Sequence, residues 1–93
     1  MFFVYFLVCV DGSFYVGHTQ DVARRVKGHE DGTAAAFTRE RRPVRLAYVE
    51  HQPSRKLAVA RERQMKGWTH LKKEALVRGD IDSLRLLSRR RDR

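Results

Sequence analysis

Asparagine is absent from this 93-residue chain, and cysteine and isoleucine occur once each, as Cys9 and Ile81. One cysteine excludes an internal disulfide framework and any cysteine-rich zinc site. Cys9 reads instead as a buried core thiol within a strand. The six glycines are scattered and form no glycine-rich phosphate loop. There is no internal repeat, linker or low-complexity segment beyond a basic C-terminal tail. The longest apolar run, Met1–Val10, falls well short of the about 20 residues a membrane-spanning helix needs. It has no basic segment before it and no small-residue cleavage site behind it, so it makes a poor signal peptide. A cytoplasmic protein with no membrane partner is expected. The length allows one domain, which buries about 60–65% of its unfolded surface.

What the chain has in excess is positive charge. Twenty Lys+Arg against eleven Asp+Glu give a formal +9, with a pI near 10.6. A small domain this basic usually meets phosphates. Fifteen of the twenty cations are arginine, which suits bidentate phosphate contacts. With no asparagine and one isoleucine, the arginine-over-lysine choice also fits a GC-rich codon habit. The sign of the charge is therefore credited to function and the choice of residue mostly to codon bias.

Phe2–Val10 is aromatic and β-branched without polar alternation, as in a central strand buried on both faces. Asp11-Gly12-Ser13 is a tight turn, and Phe14–Gly17 then reads as the partner strand of a hairpin. Thr19 or Asp21 can cap the helix that follows, and Asp31-Gly32 ends it. Thr33–Arg42 reads as a basic loop closed by Pro43. Val44–Glu50 reads as a third strand. Ser54 caps a helix running to about Lys66, Thr69 caps a shorter one through Val77, and Asp80 caps a last one over Ile81–Leu87. Ser88–Arg93 has nothing to bury and reads as a frayed basic tail.

Glu62 is the most telling single residue. It falls on the stripe of Ala58 and Met65 that should face the core, where a carboxylate is costly unless paired or bound to a cation. A partly exposed ion pair with a nearby arginine is the plain alternative. Tyr5 and Tyr15 place phenols ten residues apart in otherwise apolar strands, where simple packing is the plain alternative. Gly17 is either a turn requirement or a point of close approach to a ligand. Arg25 and His29 stand four apart on one helix. His18, His29 and Glu62 match no zinc spacing.

Taken in order, these positions resemble the GIY-YIG nuclease domain. The likeness is closer to its small stand-alone bacterial branch, related to the N-terminal incision domain of the excision-repair nuclease. The stretches that carry it are Val4–Leu7, Asp11–Gly17, Asp21–Arg25, Arg41–Val44, Ala60–Lys66 and the tract Trp68–Val77. It covers roughly residues 2–80. The first signature triplet reads Phe3-Val4-Tyr5, without a glycine, and His18 stands where some relatives place a lysine.

The resemblance implies an α/β fold, a small three-stranded antiparallel sheet flanked by helices. Residues 1–80 would form the nuclease-like domain and 81–93 a helical extension with the basic tail. The implied activity is metal-dependent hydrolysis of DNA phosphodiesters with little sequence specificity, single-stranded DNA being a candidate preference. A weakly catalytic or inactive nucleic-acid-binding module, for DNA or RNA, is the alternative. Glu62 would be the protein ligand of one Mg²⁺ or Mn²⁺. Arg25 would stabilise charge on the phosphate, and Tyr5 or Tyr15 would orient or deprotonate the attacking water. A free phenol titrates near about 10, so a tyrosine base needs the cation and Arg25 beside it. His29 and His18 would position groups or relay protons, and Gly17 would support the site. Arg39, Arg41, Arg42, Lys66, Lys72 and Lys73, with Arg61, would grip backbone phosphates. A protein partner could supply specificity.

Overall fold

A computed structural model describes residues 1–90. The elements are β1 (Phe2–Val8), β2 (Phe14–Thr19), α1 (Val22–Asp31), α2 (Ala36–Arg39), β3 (Arg45–Gln52), α3 (Arg55–Lys66), α4 (His70–Arg78) and α5 (Ile81–Arg90). The sheet is antiparallel in the order β2-β1-β3. This is the expected α/β architecture, and the unbroken apolar run explains its centre. β1 carries helices on both faces, so its residues need no polar side, and Val4 to Leu7 are fully buried.

Alternation along β1 divides the core in two. Val4 and Phe6 pack with Val16, Ala58 and Met65 beneath α3, with Trp68, Leu76 and Val77 closing the cluster. Tyr5 and Leu7 face the other way, with Cys9, Val44, Tyr15 and Val26. The expected caps form. Asp21 accepts from the Arg24 N–H at 3.0 Å, and Thr19 instead braces Asp21 by accepting from its N–H. Ser54, Thr69 and Asp80 accept from Leu57, Lys72 and Ser83 in the same way. Gly32 ends α1 at φ 85°, a left-handed conformation that favours glycine.

Several boundaries differ from the sequence reading. β1 stops at Val8, because the Cys9 N–H turns to Ser13 and the Val10 N–H to Arg41. Cys9 is buried, but just beyond the strand. β2 runs past Gly17 to Thr19, since the ladder continues through the pairs Val4 with His18 and Phe3 with Thr19. The stretch read as a continuous loop contains α2, a single turn whose N-cap, Ala35, has no side chain to cap it. β3 begins at Arg45 and ends at Gln52, and α5 continues to Arg90 rather than stopping at Leu87. Of the tail read as frayed, residues 91–93 lie outside the described residues.

Candidate active site

The site begins with a close approach inside the hairpin. Tyr5 on β1 pairs with Gly17 on β2. A Cβ at Gly17 would lie 2.6 Å from the Tyr5 hydroxyl, so only glycine leaves room for the phenol. Gly17→Ala is expected to displace Tyr5, at a cost of about 1–3 kcal/mol typical of overpacking. Thermal melts of the two forms would measure it, and an unchanged melting temperature would mean the ring has room to move.

The hydroxyl so positioned starts a hydrogen-bonded chain. Tyr5 Oη lies 2.8 Å from His29 Nε2, His29 Nδ1 lies 2.8 Å from Thr38 Oγ1, and Thr38 Oγ1 lies 3.2 Å from the Ala35 carbonyl. A carbonyl only accepts, so the direction of the chain is fixed from that end. Thr38 donates to Ala35, His29 Nδ1–H donates to Thr38, and Nε2 accepts from Tyr5. Tyr5, His29 and Thr38 are all fully buried. The chain therefore ties β1, α1 and α2 together. Burial and the nearby Tyr15 push the Tyr5 phenol up to about 12, although Arg25 beside it pulls the other way. Burial, then the Arg25 charge, hold His29 below the ordinary imidazole value.

Tyr15 belongs to the same group of rings, centred 4.9 Å from His29 and 6.4 Å from Tyr5. It is half-buried, and its hydroxyl makes no hydrogen bond among the described residues.

Glu62 approaches from α3. Its Oε1 lies 2.5 Å from His18 Nδ1, and its Oε2 lies 2.6 Å from Lys66 Nζ. Its partners are thus a histidine and a lysine, not the arginines that position alone suggested. Burial pushes this carboxyl up, but hydrogen bonds and positive charge from Lys66 and His18 outweigh burial and hold it below the usual value. The ionised form is the stable one here.

Beside them opens a cleft of about 520 Å³ lined by Phe2, His18, Thr19, Gln20, Asp21, Arg24, Arg25, Gly28, Thr33, Ala34 and Arg55. Arg24, Arg25 and Arg55 make no ion pair among the described residues. Arg24 and Arg55 were not singled out in the sequence. Each sits in the first turn of a helix, α1 or α3, and only the packing of those helices brings them to one cleft.

The other basic residues stand elsewhere. Arg39 and Arg42 line a separate hollow with Glu30 and Pro43. Arg42 donates to the carbonyls of Arg39 and Glu30. Arg41 pairs with Asp11 at 3.4 Å and covers the Phe37 ring. Arg61 is held by Glu50 at 2.7 Å. Lys72 is buried, its ammonium 4.1 Å from the centre of the Trp68 ring, and burial lowers Lys73. Lys66 is the member of this set that the structure brings to Glu62.

Comparison with known proteins agrees with this fold. A family model described as the GIY-YIG catalytic domain matches residues 1–75. A UPF0213 protein of Haloquadratum walsbyi is 41% identical over 80 residues, covering 86% of this chain and 90% of that one. One from Staphylococcus aureus is 42% identical over 76 residues, covering 82% and 93%. The solution NMR structure of a UPF0213 protein from Bacillus halodurans aligns with a TM-score of 0.53 at 45% identity, over 83% of each chain.

Proposed function

Because the chain belongs to the GIY-YIG family, a nuclease superfamily, we propose that it is a cation-dependent endonuclease acting on DNA with little sequence preference, single strands being favoured. One observation carries this reading. A carboxylate held in its ionised form stands beside a cleft lined by three arginines that have no acidic partner among the described residues.

The residues suit a divalent cation sparingly held. Among the described residues no group of three or more His, Cys, Asp or Glu could hold a metal ion. Glu62 fits the smaller role: it is ionised, and both of its oxygens already attract positively polarised groups. It would hold one Mg²⁺ or Mn²⁺ whose remaining ligands are waters and phosphate oxygens, and whose charge offsets that of the scissile phosphate and its leaving oxygen.

Arg25 lies exposed in the cleft, where its guanidinium can face a phosphate and stabilise the charge that grows there in the transition state. Tyr15, whose hydroxyl has no partner among the described residues, orients the attacking water. It takes up the water's proton as the phenolate, the form that Arg25 and the cation would favour after the phenol has given its own proton to solvent. Tyr5 is too deeply buried to meet that water. With its pKa raised to about 12, it positions the rings through its bond to His29. Phe2 gives the cleft an apolar surface on which an unpaired base can lie.

Incubation with labelled single- and double-stranded DNA, with and without Mn²⁺, tests the proposal. Mn²⁺-dependent cutting, faster on single strands, is the expected result. Binding without cutting would make the chain a nucleic-acid-binding module instead.

The cleft also sets how binding responds to salt. Three arginine–phosphate contacts on a single strand give a slope of about −2 in log affinity against log salt. Arg24→Ala and Arg55→Ala should each flatten it by about 0.7, whereas Arg41→Ala should leave it unchanged. A slope nearer −4, lost with Arg41, would move the binding surface to the α2 side.

A further inference from the structure

Glu62 does not stand alone: His18 reaches it from β2, 44 positions away in sequence, at 2.5 Å. Their side chains are 17% and 28% exposed, respectively, so the pair opens to solvent rather than being sealed in the core. His18 also lines the arginine cleft. On the other carboxylate oxygen sits the Lys66 ammonium, itself 52% exposed and free to swing into water.

We propose that His18 and Glu62 together form an imidazole–carboxylate site for one divalent ion of the first transition series, held in preference to Mg²⁺, with Lys66 on the carboxylate until the ion displaces it. The inference rests on Glu62 being the cation ligand, as read above, and adds the choice of cation.

The spacing allows it. Neighbouring ligands of a six-coordinate ion with bonds of about 2.1 Å lie about 3 Å apart. The two side chains need to part by only about half an ångström to admit the ion between Nδ1 and Oε1. The Nδ1 proton that now faces the carboxylate passes through solvent to Nε2, leaving the Nδ1 lone pair for the ion. Ligand chemistry then sets the preference. Mg²⁺ sheds water reluctantly and favours oxygen, whereas imidazole nitrogen binds later first-row ions more strongly, in the order Mn²⁺, Co²⁺, Ni²⁺. The pair has no third protein ligand among the described residues, so water and substrate phosphate complete the shell and binding stays modest. An ammonium at 2.6 Å is the occupant a cation site would draw from its own chain.

The test uses the full chain and metal ions alone, without nucleic acid. Calorimetric titration with Mg²⁺, Mn²⁺ and Co²⁺ should show Co²⁺ binding tightest and Mg²⁺ weakest, and Co²⁺ should acquire the visible absorption of a nitrogen-ligated ion. His18→Gln should weaken Co²⁺ by about tenfold, abolish that absorption and leave Mg²⁺ unchanged. Lys66→Ala should tighten all three ions. In the parent protein, Mn²⁺ should broaden the His18 imidazole resonances, a readout that does not depend on any variant folding. Unbroadened His18 resonances, or a folded His18→Gln protein with unaltered Co²⁺ binding, would overturn the inference. If in that case Glu62→Gln still loses every ion, the carboxylate keeps its role and only the histidine is struck out. Retention of all three ions by Glu62→Gln would sink the reading of Glu62 as well.

Discussion

Glu62→Gln is expected to lower DNA cleavage by about three orders of magnitude or more, the loss when a cation's several kcal/mol of charge stabilisation disappears. The amide has the shape of the carboxylate but cannot hold a hard cation. DNA affinity should survive, because the cleft arginines are untouched. The fold should largely hold, because the Glu62 side chain keeps contact with solvent, 17% exposed, and the amide nearly matches it in size. Removing it also frees Lys66, which adds to the positive surface rather than subtracting from it. Single-turnover cleavage and a binding titration, made on one preparation, separate the two effects. Cutting at the parent rate would show that the carboxylate serves only its ion pairs.

Tyr15→Phe is expected to lose about two to four orders of magnitude in rate, the usual worth of a positioned proton-transfer group, with no change in melting temperature. Its hydroxyl has no partner among the described residues to leave behind. Tyr5→Phe should behave differently. It strips the donor from His29 Nε2 and strands a buried acceptor, at a cost of about 1–3 kcal/mol. For a domain this small, each kcal/mol lowers the melting temperature by roughly 4–8 °C. The two tyrosines are thus told apart by pairing a rate with a melt. An inactive Tyr5→Phe with an unshifted melt, beside an active Tyr15→Phe, would exchange their roles.

The architecture was legible because its signals are local. An apolar run without alternation, dense in aromatic and β-branched residues, reads as a strand covered on both sides, and β1 is that strand. Asp21, Ser54, Thr69 and Asp80 each accept from an N–H three residues on, so their caps could be read from short stretches. Glu62 stood out because a carboxylate on an apolar stripe demands a reason. What could not be read depends on partners brought together by the fold. His18 meets Glu62 only once α3 is laid beside β2. Thr38 finds His29 only through a turn of helix too short to show periodicity. Arg24 and Arg55 converge on one cleft although nothing in their neighbourhoods distinguishes them from other arginines. The phosphate grip was placed on the densest basic stretch, whereas packing commits Arg41 to Asp11 and Phe37, and Arg42 to backbone carbonyls.

The enclosed imidazole of His29 gives the molecule an acid threshold. Unfolded, it takes up a proton near its ordinary value of 6.5; folded, it resists until the pH is lower. Between those two values the unfolded chain binds more protons, so stability falls as the medium is acidified and levels off once the native imidazole also charges. Glu62, held below its ordinary 4.5 when folded, gives up its contribution only at more acid pH. Melting temperature against pH should therefore descend in two stages, and His29→Gln should erase the earlier one. The first stage also reverses a polarity. A charged imidazole donates from both nitrogens, so Tyr5 must turn its own proton away from His29 and accept instead, while His29 still donates to Thr38 and Thr38 to Ala35.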